Sequence, residues 1–195
     1  MEVKLDKRYA IAASPAQCWA LLSDIRAVAG CMPGAQITEQ TAATHYKGTV
    51  KSKVGPAVMS FGGDVEVQAL DEPARSLRLL AKGADRSGSS ATMLLTAQLE
   101  AGAAAGTTTL VGVATVTVSG KLAQFGSRLL VPVSDAMLAQ FAVNFSAAAA
   151  AVPGAGAASP SPAATAPVAV KELNALALMW AVFKGWLARL FGRGT

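Results

Sequence analysis

Apolar and polar residues alternate with period two over residues 2–13, the mark of a strand that turns one face to a core. The pattern changes at SPAQCWALLSDI. There Cys18, Trp19, Leu22 and Ile25 recur at helical spacing, Pro15 suits the first helical position, and Ser14 suits the N-cap. A short second helix is expected to end at CMPG, residues 31–34. From Gly34 to Ser119 strand-like stretches follow one another, separated by turn signals at VGPA, DEPA, KGADRSGS and EAGAAAG, which reads as an antiparallel meander. Beyond Gly120, the residues Leu122, Phe125, Leu129, Val133, Met137, Phe141 and Phe145 form one apolar stripe of a long helix. Pro132 lacks an amide donor and predicts a kink, or a restart capped by Ser134.

The alternation also separates the faces of the sheet. HYKGTVKSKV turns Tyr46, Gly48, Val50, Ser52 and Val54 inward and His45, Lys47, Thr49, Lys51 and Lys53 outward. AVMSFGGDVEVQA sends Met59, Phe61, Gly63, Val65 and Val67 inward. A two-residue turn at Gly55–Pro56 then sets Val50 against Phe61 and Gly48 against Gly63 inside, with Lys47 opposite Asp64 and His45 opposite Glu66 outside. The facing glycines either permit a sharp bend or leave room for a ligand. A meander followed by one amphipathic helix predicts an α+β fold in which the sheet curls around the helix. The expected cavity wall is Tyr46, Gly48, Met59, Phe61, Gly63, Met93, Leu95, Phe125, Leu129, Met137 and Phe141.

Four stretches, CMPG at 31–34, KVGP at 53–56, SFGGDV at 60–65 and GKLAQFGSRLL at 120–130, resemble the carbon monoxide dehydrogenase G-subunit family of the START-like (SRPBCC) helix-grip superfamily. The resemblance covers residues 1–147. It implies a seven-stranded antiparallel sheet gripping a long helix with a hydrophobic cavity between them. It further implies an accessory protein that recruits a molybdenum hydroxylase of the carbon monoxide dehydrogenase type to the membrane and holds a quinone of the respiratory chain. The family's glycine-rich strand is thinned here to LAKGADRSGSSATM, residues 80–93.

Composition adds an appendage. Residues 148–167 carry no charge and are mostly Ala and Pro, a tether in composition. In residues 168–195 the side chains of Leu173, Leu176, Trp180, Phe183, Trp186, Leu187, Leu190 and Phe191 gather on one helical arc, while Lys184, Arg189 and Arg193 lie on the other. The longest uncharged run, Leu173–Phe183, is far short of the roughly 20 residues that span a bilayer, so the helix is expected to lie in the interface, with docking on a partner helix as the alternative. The formal charge is +5, and residues 171–195 account for +3 of it, so the basicity belongs to this tail rather than to a nucleic-acid-binding face.

Catalytic candidates are scarce. His45 is the single histidine and is expected at the surface, and Asp64 and Glu66 are explained by their cross-strand cations. Cys18 and Cys31 are expected to be buried free thiols, with Cys31 packing in its loop or bordering the cavity mouth. The N-terminus shows no secretory pattern. The expectation is therefore a non-enzymatic peripheral protein on the cytoplasmic face of the inner membrane, with no metal and no covalent cofactor. The rival expectations are a pure recruitment scaffold with a filled cavity and a START-like cyclase or hydrolase.

Overall fold

Ser14 accepts a hydrogen bond from the amide of Gln17 while the Gln17 side chain accepts one from the amide of Ser14, a capping box that starts the first helix where the sequence places it. A computed structural model describes residues 1–54 and 57–153 of the chain. The elements run β1 (Glu2–Ile11), α1 (Pro15–Ser23), α2 (Ile25–Cys31), β2 (Ala35–Ala42), β3 (His45–Val54), β4 (Ala57–Asp71), β5 (Ser76–Asp85), β6 (Ser89–Ala101), β7 (Thr108–Ser119), α3 (Lys121–Gln124) and α4 (Gly126–Ala151). The Asp24 carboxylate caps α2 by accepting from the amides of Arg26 and Ala27.

All seven strands form one antiparallel sheet in the order β1-β7-β6-β5-β4-β3-β2. Only β1 leaves the sequential meander, closing the far edge beside β7 and bringing the N-terminus next to the last strand. In the β3–β4 hairpin Val50 pairs with Phe61, Gly48 with Gly63, Lys47 with Asp64 and His45 with Glu66, the expected register. The expected charge pairing across it does not follow. Lys47 turns instead to β2, its Nζ 3.8 Å from Glu39 Oε2, and His45 Nδ1 meets the hydroxyl of Thr44 at 3.0 Å.

The long helix departs from expectation at both ends and in its middle. The C-terminal stripe is not one continuous helix: α3 is a single turn, and the chain breaks at Phe125 and Gly126, where Gly126 takes φ +67°. A left-handed residue ends one helical turn and re-aims the next, a conformation that glycine adopts without a Cβ penalty. Pro132, expected to kink or restart the helix with Ser134 as cap, is passed through without interruption. Pro132 and Arg128 are both exposed, so the carbonyl that loses its partner faces water. The helix also runs past residue 147, where the tether was expected to begin. Ala149 is fully buried, and Gln17 Nε2 donates to the Val152 carbonyl at 2.8 Å, sealing the helix end onto α1. An alanine run of high helix propensity, with its end capped from another element, is helix rather than linker.

The main core lies where α1, α2 and the second half of α4 meet the sheet. Phe145, Ile11, Leu77 and Cys18 are almost completely buried there, and Phe141 and Phe145 stack at 5.7 Å in a tilted pair. A second, smaller cluster forms at the other end, where Leu122 and Leu129 pack on Met59 and Val118. Residues 154–195, and with them most of the expected tether and all of the expected interfacial helix, lie outside the described residues.

Candidate functional site

The concave face of the sheet, roofed by α4, is the candidate site. The residues expected to wall it fall into three groups. Met59, Phe61, Phe125 and Leu129 meet in the smaller cluster. Tyr46 and Phe141 belong to the main core at the other end. Tyr46 uses its hydroxyl locally, accepting from Gln40 Nε2 at 3.3 Å. Between the two clusters Met93 and Leu95 are half-buried on β6, and Met137 reaches β3, where the Ser52 hydroxyl donates to its sulfur at 3.4 Å. Met137 also lines a recess of about 300 Å³ with Pro33, Gly34, Lys51, Ser52, Val133 and Ala136. The apolar lining is thus continuous in sequence phase, with its two buried clusters at its ends.

The two facing glycines serve the bend. A Cβ at Gly63 would collide with the Lys82 carbonyl oxygen and press on Gly83, and one at Gly48 would sit 2.9 Å from the Gln36 carbonyl oxygen. Neighbouring backbone occupies those directions, so the glycines allow close strand approach. Open space lies elsewhere: a Cβ at Gly112 on β7 would meet no atom within 4 Å beyond its chain neighbours. Gly112 is flanked on the same face by the buried Ala97 and Ala114.

Lys7 is the functional candidate that sequence reasoning missed. Val3, Leu5, Lys7, Tyr9 and Ile11 share the inward phase of β1, so a cation interrupts an apolar row, and that interruption was the available signal. Lys7 Nζ lies 2.9 Å from Asp135 Oδ1 on α4. The Asp135 carboxylate at this distance raises the Lys7 pKa above the ordinary lysine value and keeps the ammonium charged. A second polar cluster sits at the β5–β6 turn. There Asp85 accepts from the amides of Ser60 and Ser87, and Ser89 accepts from the amide of Leu122 to start α3. The Ser87 side chain, then the Ser60 and Ser87 amides, lower the Asp85 pKa below the usual carboxylate value.

Cys31 is buried in the core, donating weakly to the Ala27 carbonyl, and Cys18 likewise to the Ala13 carbonyl; burial raises both thiol pKa values. His45 is exposed. The inward phase of the sheet is thus an apolar surface with one ion-paired ammonium on its edge strand.

Residues 8–150 match the family model described as the G subunit of carbon monoxide dehydrogenase (CoxG). The chain belongs to that family. The matched region takes in nearly the whole sheet, both short helices at the core end and almost all of α4. Members of the CoxG family are named for carbon monoxide dehydrogenase, which gives this chain an accessory role beside such an enzyme. The fold is also that of solved START-like helix-grip proteins. A conserved protein from Geobacillus kaustophilus superposes with a TM-score of 0.68 at 18% identity, over 76% of this chain and 95% of its own. The ZhuI aromatase/cyclase from Streptomyces sp. R1128 gives 0.56 at 13% identity, over 76% and 94%. Truncated norcoclaurine synthase from Thalictrum flavum gives 0.51 at 13%, over 75% and 92%. At such identities the likeness shows the fold alone. No curated protein is similar enough to this chain to count as a relative.

Proposed function

We propose that this CoxG-family protein is a non-enzymatic accessory subunit that brings a molybdenum hydroxylase of the carbon monoxide dehydrogenase type to the cytoplasmic face of the membrane and holds a quinone-like apolar ligand between sheet and α4. The observation that carries the reading is the family match over residues 8–150, which enclose the apolar concave face. The half-buried Met93, Leu95 and Met137, which lie outside the two buried clusters, support the ligand part. So does the room for a methyl group at Gly112 on the same face.

Two features support the membrane part. In the sequence, residues 168–195 segregate bulky apolar side chains from Lys184, Arg189 and Arg193. In the domain, α4 is long and apolar enough to cross a membrane by length and composition. Its packing into the core through Ala142, Phe145 and Ala149 makes it a domain helix. Its outer face nevertheless carries Ala136, Ala139, Val143 and Ala147, with Val143 63% exposed, a surface compatible with a nearby lipid headgroup layer.

Organic extraction of the purified full-length protein followed by mass spectrometry tests the ligand part; the expected result is a co-purifying isoprenoid quinone. Its absence after purification from quinone-containing membranes would leave the recruitment scaffold as the better reading.

A further inference from the structure

An antiparallel sheet that covers its core with one face normally turns polar and charged side chains out on the other. At one edge β1 follows that rule, turning out Glu2, Lys4, Asp6 and Arg8, all exposed. The central strands do not. Leu77, Ala97, Leu110 and Ala114 are buried on the inner face, so the alternate positions of β5, β6 and β7 lie on the outer one. There Leu80, Leu94, Val111 and Val113 come together, with Leu80 paired to Leu94 and Val113 half exposed beside Thr96. No residue between Ser90 and Gln98 or between Thr109 and Ser119 is charged.

Charges stand in order around this apolar centre. One row across the outer face reads Glu66, Leu80, Leu94, Thr115, Lys4 from β4 to β1, and another reads Asp71, Ser76, Gln98, Val111, Arg8. The middle strand of both rows is β6. Each row is acidic at its β4 end and basic at its β1 end. Between them β5 carries Arg78 and Lys82, and the positions equally far from β6 on the other side, Val113 and Thr117, pair with Asp6 and Glu2. Among the described residues Asp64, Glu66, Arg78 and Lys82 form no ion pair, and Lys4 has only Glu2 of its own strand, at 3.9 Å. Arg8 pairs with Glu100.

We propose that this outer face joins two copies of the chain about a two-fold axis running along β6. Such an axis lays β4 of each copy over β1 of the other, so Glu66 meets Lys4 and Asp71 meets Arg8, while Arg78 and Lys82 come over β7 toward Asp6 and Glu2. The one like-charged approach, Asp64 to Glu2, has Lys82 and Lys4 on either side of it. Leu80, Leu94, Val111 and Val113 of both copies are then enclosed, an apolar centre within a charged rim. Sheets packed face to face keep their strands within about 30° of one another, an offset that the long rim side chains span. Another protein would have to present the same order of signs, whereas a second copy presents it by symmetry. Five strands about 4.8 Å apart and four rows about 6.6 Å apart make a face of roughly 20 by 20 Å. That is less than the roughly 800 Å² per partner of a standard interface, so the dimer is expected to be weak, in the micromolar range. The concave face and α4 lie on the opposite side of the sheet and stay uncovered.

Sedimentation velocity of the full-length protein across the micromolar range tests this, and the expected result is a reversible equilibrium between monomer and dimer. Lys4→Glu and Glu66→Lys should each weaken the dimer about tenfold, because every pair occurs twice about a two-fold axis. The double variant Lys4→Glu/Glu66→Lys should return to within about threefold of the wild type. Val113→Arg, at a half-exposed position, should leave monomer alone, with its circular dichroism checking the fold. Leu94→Cys, beside the axis, should form a disulfide with its own copy under mild oxidation, whereas Val143→Cys on the outer side of α4 should not. A wild type that stays monomeric, or association that every variant leaves unchanged, overturns the proposal. Single reversals that weaken the dimer without recovery in the double variant, or a Leu94→Cys chain that does not cross-link, overturn it too, since they refute the axis.

Discussion

Asn144 of α4 donates from Nδ2 to the carbonyl oxygen of Cys31 at 2.9 Å, joining the long helix to the end of α2 across a separation of 113 residues. The carbonyl is one of those left over at a helix C-terminus, and it is partly buried, so without Asn144 it has little access to water. Asn144→Ala is expected to cost about 1–2 kcal/mol and to lower the melting temperature by about 2–8 °C, read by calorimetry. An unchanged midpoint would mean that α4 is held there by apolar packing alone.

Two glycines on one sheet surface should respond oppositely to a methyl group. Gly63→Ala places its Cβ against the Lys82 carbonyl and is expected to destabilise by about 2–3 kcal/mol or to prevent folding. Gly112→Ala meets open space and should shift the urea midpoint little. Comparable losses at both positions would refute the open space.

Pro132→Ala restores an amide that can donate to the Arg128 carbonyl in the middle of an exposed helical turn. Because the helix already continues through this point, the substitution should stabilise the protein by roughly 1–3 kcal/mol, visible as a higher urea midpoint with an unchanged slope. Destabilisation would indicate that the unpaired carbonyl has a use.

Asp85 ties the start of β4 to the β5–β6 turn, and its folded pKa lies below the ordinary carboxylate value of about 3.9. A depressed folded pKa contributes stability that is complete above the unfolded value and is lost as pH falls through the folded one. Asp85→Asn should therefore be less stable than wild type at pH 7, and the gap should narrow at about pH 3 and below. Urea melts at the two pH values check the sign, and a gap that widens in acid would contradict it.

Residues 168–195 should carry the membrane affinity. Full-length protein is expected to sediment with vesicles containing anionic lipid and to be released as salt is raised, since Lys184, Arg189 and Arg193 act through a screened field. The chain cut after Pro167 should remain in the supernatant. Equal sedimentation of both chains would shift the attachment to the outer face of α4.

Whatever depends on neighbours along the chain could be read before any fold was known. The period-two alternation told the wet face of β3 and β4 from the apolar one, and the hairpin register followed from turn length, pairing Val50 with Phe61 as observed. Ser14 and Pro15 announced α1 because a capping box closes within four residues. The four motifs pointed to the family that the match over residues 8–150 bears out. Contacts between residues far apart settled the rest. The alanines after residue 147 became helix because Gln17, far away in sequence, caps Val152, and the glycines facing at 48 and 63 became a bend because the Gln36 and Lys82 carbonyls approach them. Lys7 looked like any strand cation until the fold set Asp135 beside it and Gly112 across from it. A side chain's phase is written locally, but its partner and the space beside it exist only once the sheet and helix have come together.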